Sequence, residues 1–166
     1  MLAKAELKLE TGETIHLQFG MAAHRRFTRL FAPVEDRLNK MVGSEEQKIA
    51  ELNLCIIIIT LLAGYECFKV NNGDFETLEQ EFCEKYLSEK YPNLKSDDPE
   101  YKRKSDERLF MVASRWVDLS GGVDGEQVVK AIQTWNFFKG EQKEETPPKK
   151  QTPKKRSVGT KSKVSQ

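Results

Sequence analysis

The longest apolar run in the chain places the strongest constraint on its fold. The ten residues from Leu54 to Ala63 are apolar except for Thr60. This run is about half of the ~20 residues needed to cross a bilayer, so it predicts a core segment and not a membrane anchor. A helix that is apolar on every side must be surrounded by other elements. We therefore expect the run to be the hub of a single core or, alternatively, to face another subunit or an apolar client helix on one side.

A capping box indicates where this central helix begins. Ser44 is followed three residues later by Gln47. The Ser44 hydroxyl can therefore accept a hydrogen bond from the backbone N–H of Gln47, and the Gln47 side chain can accept one from the backbone N–H of Ser44. We expect the helix to run from there through the apolar run and to end near Gly64. Residues 56–59 are all isoleucine, which locally favours a strand equally well.

The N-terminal residues 5–19 predict a β-hairpin. Leu7 and Leu9 alternate with charged residues, Thr11-Gly12 supplies a turn, and apolar residues alternate again up to Phe19. A lone hairpin is only marginally stable in water. We therefore expect it either to lie on helices or to pair with an edge strand of another chain.

Helical spacing of apolar residues predicts four to five further helices. The segment 21–32 is helical until Pro33 breaks or redirects it, and a short helix follows up to Met41. Capping aspartates at 74 and 98 begin two more helices, and the last helix begins near Asp124. The residues expected to face inward on these three helices are Phe75, Leu78, Phe82, Tyr86, Leu109, Val112, Ala113, Trp116, Val117, Val128, Ala131, Ile132, Trp135 and Phe138.

Residues 140–166 differ in composition from the rest of the chain. They hold eight of the 27 Lys and Arg residues but three of the 26 Asp and Glu residues, which leaves a net charge of −4 on the preceding residues. Because these residues show no apolar periodicity, the apolar surface that they could bury would not offset the conformational entropy lost on folding. We thus predict a mainly α fold: a small helical domain with an N-terminal β-hairpin over 1–139 and a disordered, basic Lys/Pro-rich tail over 140–166. The tail either solubilises the chain or contacts a polyanion such as nucleic acid through Lys149, Lys150, Lys154, Lys155 and Arg156.

The reactive side chains do not form the pattern of a catalytic or metal site. The three cysteines and two histidines lack the paired spacing of zinc ligands, and no phosphate-binding glycine loop is present. The acidic residues of 76–84 are typical of an exposed helix face, with Glu81 paired to Lys85. We expect no enzymatic activity, cofactor, metal or small-molecule substrate. Since no secretory leader is recognisable and the cysteine count is odd, we expect reduced thiols and a cytoplasmic location.

Several short segments resemble the tail assembly chaperones of long-tailed bacteriophages. They are the hairpin end Leu17-Gln18-Phe19-Gly20, the helix carrying Phe27, and the helical segment Leu61-Leu62-Ala63-Gly64-Tyr65, and the likeness covers about half the chain. The resemblance implies a non-enzymatic chaperone, in the host cytoplasm, that coats the long helical tape-measure protein while tail-tube subunits assemble around it. It carries over no binding residues.

The apolar pattern itself suggests where a client would bind. We expect contacts with the tape-measure protein or another long helical protein, and self-association, through Phe19, Phe27, Ile57 and Ile58. We expect no membrane partner. Two alternatives remain open from the sequence: a nucleic-acid-associated protein whose tail touches phosphates, and a phage structural subunit of the tail or neck.

Overall fold

A computed structural model describes the backbone of residues 2–143 and the side chains of residues 2–140. It confirms a mainly α fold with an N-terminal β-hairpin. Helix α5 extends through residues 140–143, so the predicted start of the tail lies inside this helix; the rest of the predicted tail lies outside the described residues. A π-helical segment, Gln80–Glu84, leads directly into α3. The elements are β1 Ala3–Lys8, β2 Thr14–Phe19, α1 Met21–Lys40, α2 Glu45–Asn71, α3 Lys85–Lys90, α4 Pro99–Leu119 and α5 Glu126–Lys143.

The hairpin packs on helices of its own chain. β1 and β2 are antiparallel, with Ala3 opposite Phe19 and Lys8 opposite Thr14. Its apolar residues are buried except for the half-buried Ala3, and the strands contact α2 and α5. Near the end of β1, the Gln127 side chain of α5 hydrogen-bonds both the N–H and the carbonyl of Lys8. The first of the two predicted arrangements, a hairpin lying on helices, is therefore the one observed.

Helix α2 begins as predicted but ends later. Ser44 Oγ accepts a hydrogen bond from the Gln47 N–H at 3.2 Å, and Gln47 Oε1 accepts one from the Ser44 N–H at 3.1 Å. The predicted end near Gly64 is wrong, because the helix continues to Asn71. Gly64 does not terminate the helix but allows close approach of Phe19, whose ring would lie 2.6 Å from a Cβ at this position.

The apolar run of α2 forms the centre of the core. Residues 58–63 are all buried, and α1, α4, α5 and β2 pack around this helix. By length and composition alone α2 could cross a membrane, but here its most apolar part is covered by the chain's own elements. Residues 58–63 are surrounded as predicted, whereas Leu54 is exposed and Ile56 and Ile57 are half-buried. The fold is compatible with a soluble protein.

Pro33 does not interrupt α1. The helix is continuous from Met21 to Lys40, so the two predicted helices are one. Its buried residues keep a spacing of three or four across the proline and form one stripe: Ala23, Phe27, Leu30 and Val34. Burial of this continuous stripe against α2 outweighs the ~3 kcal/mol that an internal proline costs.

The helical region after α2 begins later than its predicted aspartate cap. Thr77 Oγ1 accepts a hydrogen bond from the Gln80 N–H at 3.2 Å, and Gln80 Oε1 accepts one from the Thr77 N–H at 2.9 Å. Asp74 accepts a bond from the Glu76 N–H instead, within the preceding turn. Phe75 therefore lies before the helix and is exposed, contrary to the prediction that it faces inward.

The predicted start and end of α4 are confirmed. Asp98 Oδ1 accepts a hydrogen bond from the Glu100 N–H at 2.9 Å, with Pro99 as the first helical residue. After the helix, Gly121 and Gly122 have φ angles of +109° and +87°, which favour glycine. The predicted inward faces of α4 and α5 are buried except for three half-buried residues, Val112, Ile132 and Phe138.

Candidate functional site: a groove between two helices

One face of α1 and one face of α4 line a groove that is partly open to solvent, here called the α1–α4 groove. Its volume is about 610 Å³. The lining residues recur at intervals of three and four, so each helix contributes a single face. They are Leu30, Pro33, Val34 and Arg37 from α1, and Arg103, Asp106, Glu107, Phe110 and Met111 from α4.

The apolar part of the groove combines buried and exposed side chains. Leu30 and Val34 are buried, and Phe110 is half-buried. Met111 leaves 56% of its surface exposed. Flexible, polarisable methionine is well suited to a surface that accommodates a partner side chain. A groove with an apolar floor between two helices is the kind of site that accepts the apolar face of an amphipathic helix.

Three of the four charged lining residues are paired within the chain. Arg37 Nη2 lies 3.0 Å from Glu51 Oε1. Arg103 lies 2.5 Å from carboxylate oxygens of both Glu100 and Glu107. Glu107 also lies 3.4 Å from Lys104 Nζ. These three groups therefore have little uncompensated charge to offer a partner.

Asp106 is the fourth charged lining residue and is half-buried. Burial raises the pKa of its carboxyl, an effect that nearby Lys102 and Arg26 oppose and Glu79 reinforces. No ion pair or hydrogen bond joins its side chain to another of the described residues 2–140. The groove therefore contains one carboxylate that is partly removed from water and has no direct partner within residues 2–140.

The predicted protein-binding residues mostly lie elsewhere, in the core. Phe19, Phe27 and Ile58 are buried, and both phenylalanines pack against Trp135, with ring centroids 5.6 and 5.3 Å apart. This corrects the expectation that they contact a client from the surface. Ile57 is half-buried. The predicted polyanion-binding residues of the tail, Lys149, Lys150, Lys154, Lys155 and Arg156, lie outside the described residues.

Three further exposed apolar side chains lie in the connection between α1 and α2 and in the first half of α2. Val42 in the connection is 98% exposed, and Ile49 and Leu54 in the first half of α2 are also exposed. Ile49 and Leu54 are five positions apart, which places them about 140° apart around α2 and so not on one face. We call these three exposed side chains the α1–α2 apolar residues.

A buried lysine cluster was missed by sequence reasoning. Lys69 is only 5% exposed, and its Nζ contacts Glu81 and lies 3.5 Å from Asp74 and 3.9 Å from Glu76. The Tyr65 hydroxyl donates a hydrogen bond of 2.8 Å to Glu81. Glu81 therefore pairs with Lys69 and not with Lys85 as predicted. A lysine on the buried side of an apolar helix, followed closely by an acidic segment, was the available signal.

The charges of this cluster are fixed by their neighbours. Burial alone would lower the pKa of Lys69, but the hydrogen bond and charge of Glu81 outweigh it and the pKa is raised. Burial and Glu81 together raise the pKa of Tyr65. Lysine stays charged and tyrosine stays protonated near neutral pH. The cluster therefore fastens the end of α2 to the segment before α3.

No protein-family model matches this chain, and searches of curated proteins and of solved structures give no match.

Proposed function

We propose that this chain is a non-enzymatic bacteriophage tail assembly chaperone that binds the helical tape-measure protein in the host cytoplasm. The observation that carries the proposal is the α1–α4 groove, with its apolar floor and the exposed side chain of Met111. A client helix inserted there adds a third helix to a two-helix surface. The chain's resemblance to tail assembly chaperones supplies the identity of that client.

The energetics of the groove support transient binding of an apolar helical face. Covering apolar surface contributes roughly 25 cal/mol for each Å² removed from water. Ridges of side chains on a client helix can pack between the rows presented by α1 and α4. A client held in this way keeps its apolar surface out of contact with other client molecules until tail subunits replace the chaperone.

Self-association is the second part of the proposal. The α1–α2 apolar residues Val42, Ile49 and Leu54 are exposed and are not among the residues that line the α1–α4 groove. A second copy covering these side chains would remove apolar surface from water without occupying the groove. Light scattering of wild type and of an Ile49→Glu, Leu54→Glu variant tests it.

Co-expression with the long helical protein encoded by a neighbouring reading frame tests the client assignment. We expect the long helical protein to be soluble when it is co-expressed with the wild-type chain and equally when it is co-expressed with a chain that ends at Lys143. If the shortened chain still keeps the helical protein soluble, the result favours the proposal over the nucleic-acid alternative, in which the tail carries the function. A helical protein no more soluble with the chain than without it contradicts the proposal.

A further inference from the structure

We infer that the α1–α4 groove selects a client segment whose apolar face is bordered by a lysine or arginine, with that basic group meeting Asp106. The inference rests on the proposed function and specifies the chemistry of the partner. It is carried by the charge balance of the groove and by the position of Asp106 relative to the apolar lining residues.

The charge balance favours a cationic partner. Arg37, Arg103 and Glu107 are each already paired with a group of opposite charge in the chain. Among residues 2–140, Asp106 forms no ion pair, and Lys102 and Arg26 act on it only at longer range, so a basic side chain placed beside it gains a direct partner without breaking an existing pair. An acidic client residue at the same position would face both Asp106 and Glu107. Charged groups at a binding surface act in this way mainly on specificity.

The position of Asp106 sets the spacing of the client's residues. Asp106 and Phe110 lie four residues apart on α4, so their side chains are neighbours on one face, about one helical turn apart. A client residue that packs on Phe110 therefore lies about one turn from the residue that reaches Asp106. On an amphipathic client helix this places the basic residue three or four positions from an apolar anchor. The aliphatic stem of lysine or arginine can pack along apolar surface while its charged end reaches the carboxylate.

The chain's own basic tail is a poorer match for the groove. Residues 144–166 contain seven Lys or Arg residues, but Val158 and Val164 are their only large aliphatic residues. A segment of this composition offers cations without the apolar face that the groove floor would cover. A client helix bordered by a basic residue offers both a cation and an apolar face.

A selection experiment with randomised peptides tests the inference and does not require the client sequence. The probe is a displayed library of 18-residue amphipathic helices with a fixed leucine face and randomised flanking positions. It is selected against the full chain, against Asp106→Asn and against Asp106→Lys. Since Asp106 is half-buried and asparagine has the same shape, we expect Asp106→Asn to fold, which thermal melting by circular dichroism verifies.

We expect wild type to enrich lysine or arginine three or four positions from an anchoring leucine. Asp106→Asn should lose this enrichment, and Asp106→Lys should enrich aspartate or glutamate instead. A selected lysine peptide should bind Asp106→Asn about tenfold more weakly than wild type, as expected for loss of one charge-assisted contact. Asp118→Asn, an exposed change elsewhere on α4, is the matched control and should bind like wild type.

Three results would overturn the inference in distinguishable ways. Helices selected without a basic bias, or with a bias that persists in Asp106→Asn, remove the role of Asp106 but leave the groove as a helix site. If no helix is selected, or if binding is unchanged by Met111→Glu, the groove is not a helix-binding site. That result would also contradict the groove's part in the proposed function. If deleting residues 144–166 makes the selected peptides bind more than tenfold more tightly, the tail is the occupant of the groove.

Discussion

Gly64 in α2 lies directly against the ring of Phe19 at the end of β2. A Cβ at Gly64 would approach Phe19 Cε1 to 2.6 Å and Leu17 Cβ to 3.3 Å. The absence of a side chain at this one position allows the hairpin to dock closely on the central helix. This contact is part of the cover that α2 and α5 give the hairpin's apolar face, which a two-stranded hairpin needs because it is marginal alone.

Gly64→Ala should therefore destabilise the protein. Alanine improves helix propensity by up to about 1 kcal/mol, but overpacking against a buried ring costs about 1–3 kcal/mol. We expect a net loss, measured as a lower midpoint of unfolding in urea. Gly140→Ala is the matched control, because nothing lies within 4 Å of a Cβ at Gly140 in α5. A Gly64→Ala variant as stable as Gly140→Ala would show that the hairpin is not held so closely.

Lys69→Met should destabilise the fold strongly. It leaves Glu81, Asp74 and Glu76 close together without the buried ammonium that they share. Removing one partner of a buried ion pair costs roughly 3–5 kcal/mol, and less here because the carboxylates are partly exposed. Thermal melting near neutral pH measures the loss.

Lys85→Met is the matched control for Lys69→Met. Lys85 is exposed and lies 4.0 Å from Glu89, and exposed pairs of this kind contribute about 0–1 kcal/mol. Equal melting temperatures for the two variants would contradict the assignment of Lys69 as the centre of a buried cluster.

The fold could largely be predicted from the sequence because its main elements carry local signals. The capping box at Ser44, the Asp98-Pro99 start and the alternating hairpin residues all depend on neighbours within a few positions. The errors arose where tertiary contacts overrode local preference. Pro33 lies inside a helix because the buried stripe continues on both sides, and Gly64 lies inside a helix because Phe19 packs against it.

The candidate site could not be predicted in the same way. Leu30 and Phe110 are 80 positions apart, and no local pattern indicates that α1 and α4 line one groove. Sequence reasoning instead favoured the most apolar residues, such as Phe19 and Ile58, which the core uses for itself. Asp106 looks like any helix-surface carboxylate until the ion pairs of its neighbours are known.

Ile58→Asp and Ile57→Asp should differ in their effect on folding. Ile58 is 2% exposed, so an aspartate there buries an unpaired charge at a cost of several kcal/mol, by order of magnitude. Ile57 is only half-buried and its aspartate can reach water more easily. We expect Ile58→Asp to lose the cooperative thermal transition and Ile57→Asp to keep it at a lower temperature. Similar melting of both variants would contradict the observed orientation of α2.

Asp106→Asn should stabilise the protein at neutral pH. Burial raises the pKa of Asp106 in the folded chain, so the folded state binds this proton more tightly than the unfolded state. The ionised carboxylate therefore costs stability above the folded pKa, and the cost fades as the pH falls toward the ordinary aspartate value of about 3.9. We expect a higher melting temperature than wild type at pH 7, with the difference shrinking toward pH 4. A variant less stable than wild type at pH 7 would indicate a favourable partner for Asp106.

Photo-crosslinking during co-expression with the proposed tape-measure client tests most directly whether the α1–α4 groove holds a client helix. A photoreactive phenylalanine analogue replaces Met111 at the groove or, as the control, Val129, an exposed apolar residue of α5. We predict a crosslinked product between the chain and the proposed client from position 111, reduced when Asp106 is changed to lysine, and little product from position 129. Equal products from both positions, or a product from position 129 alone, would contradict the assignment of the groove as the client-binding site.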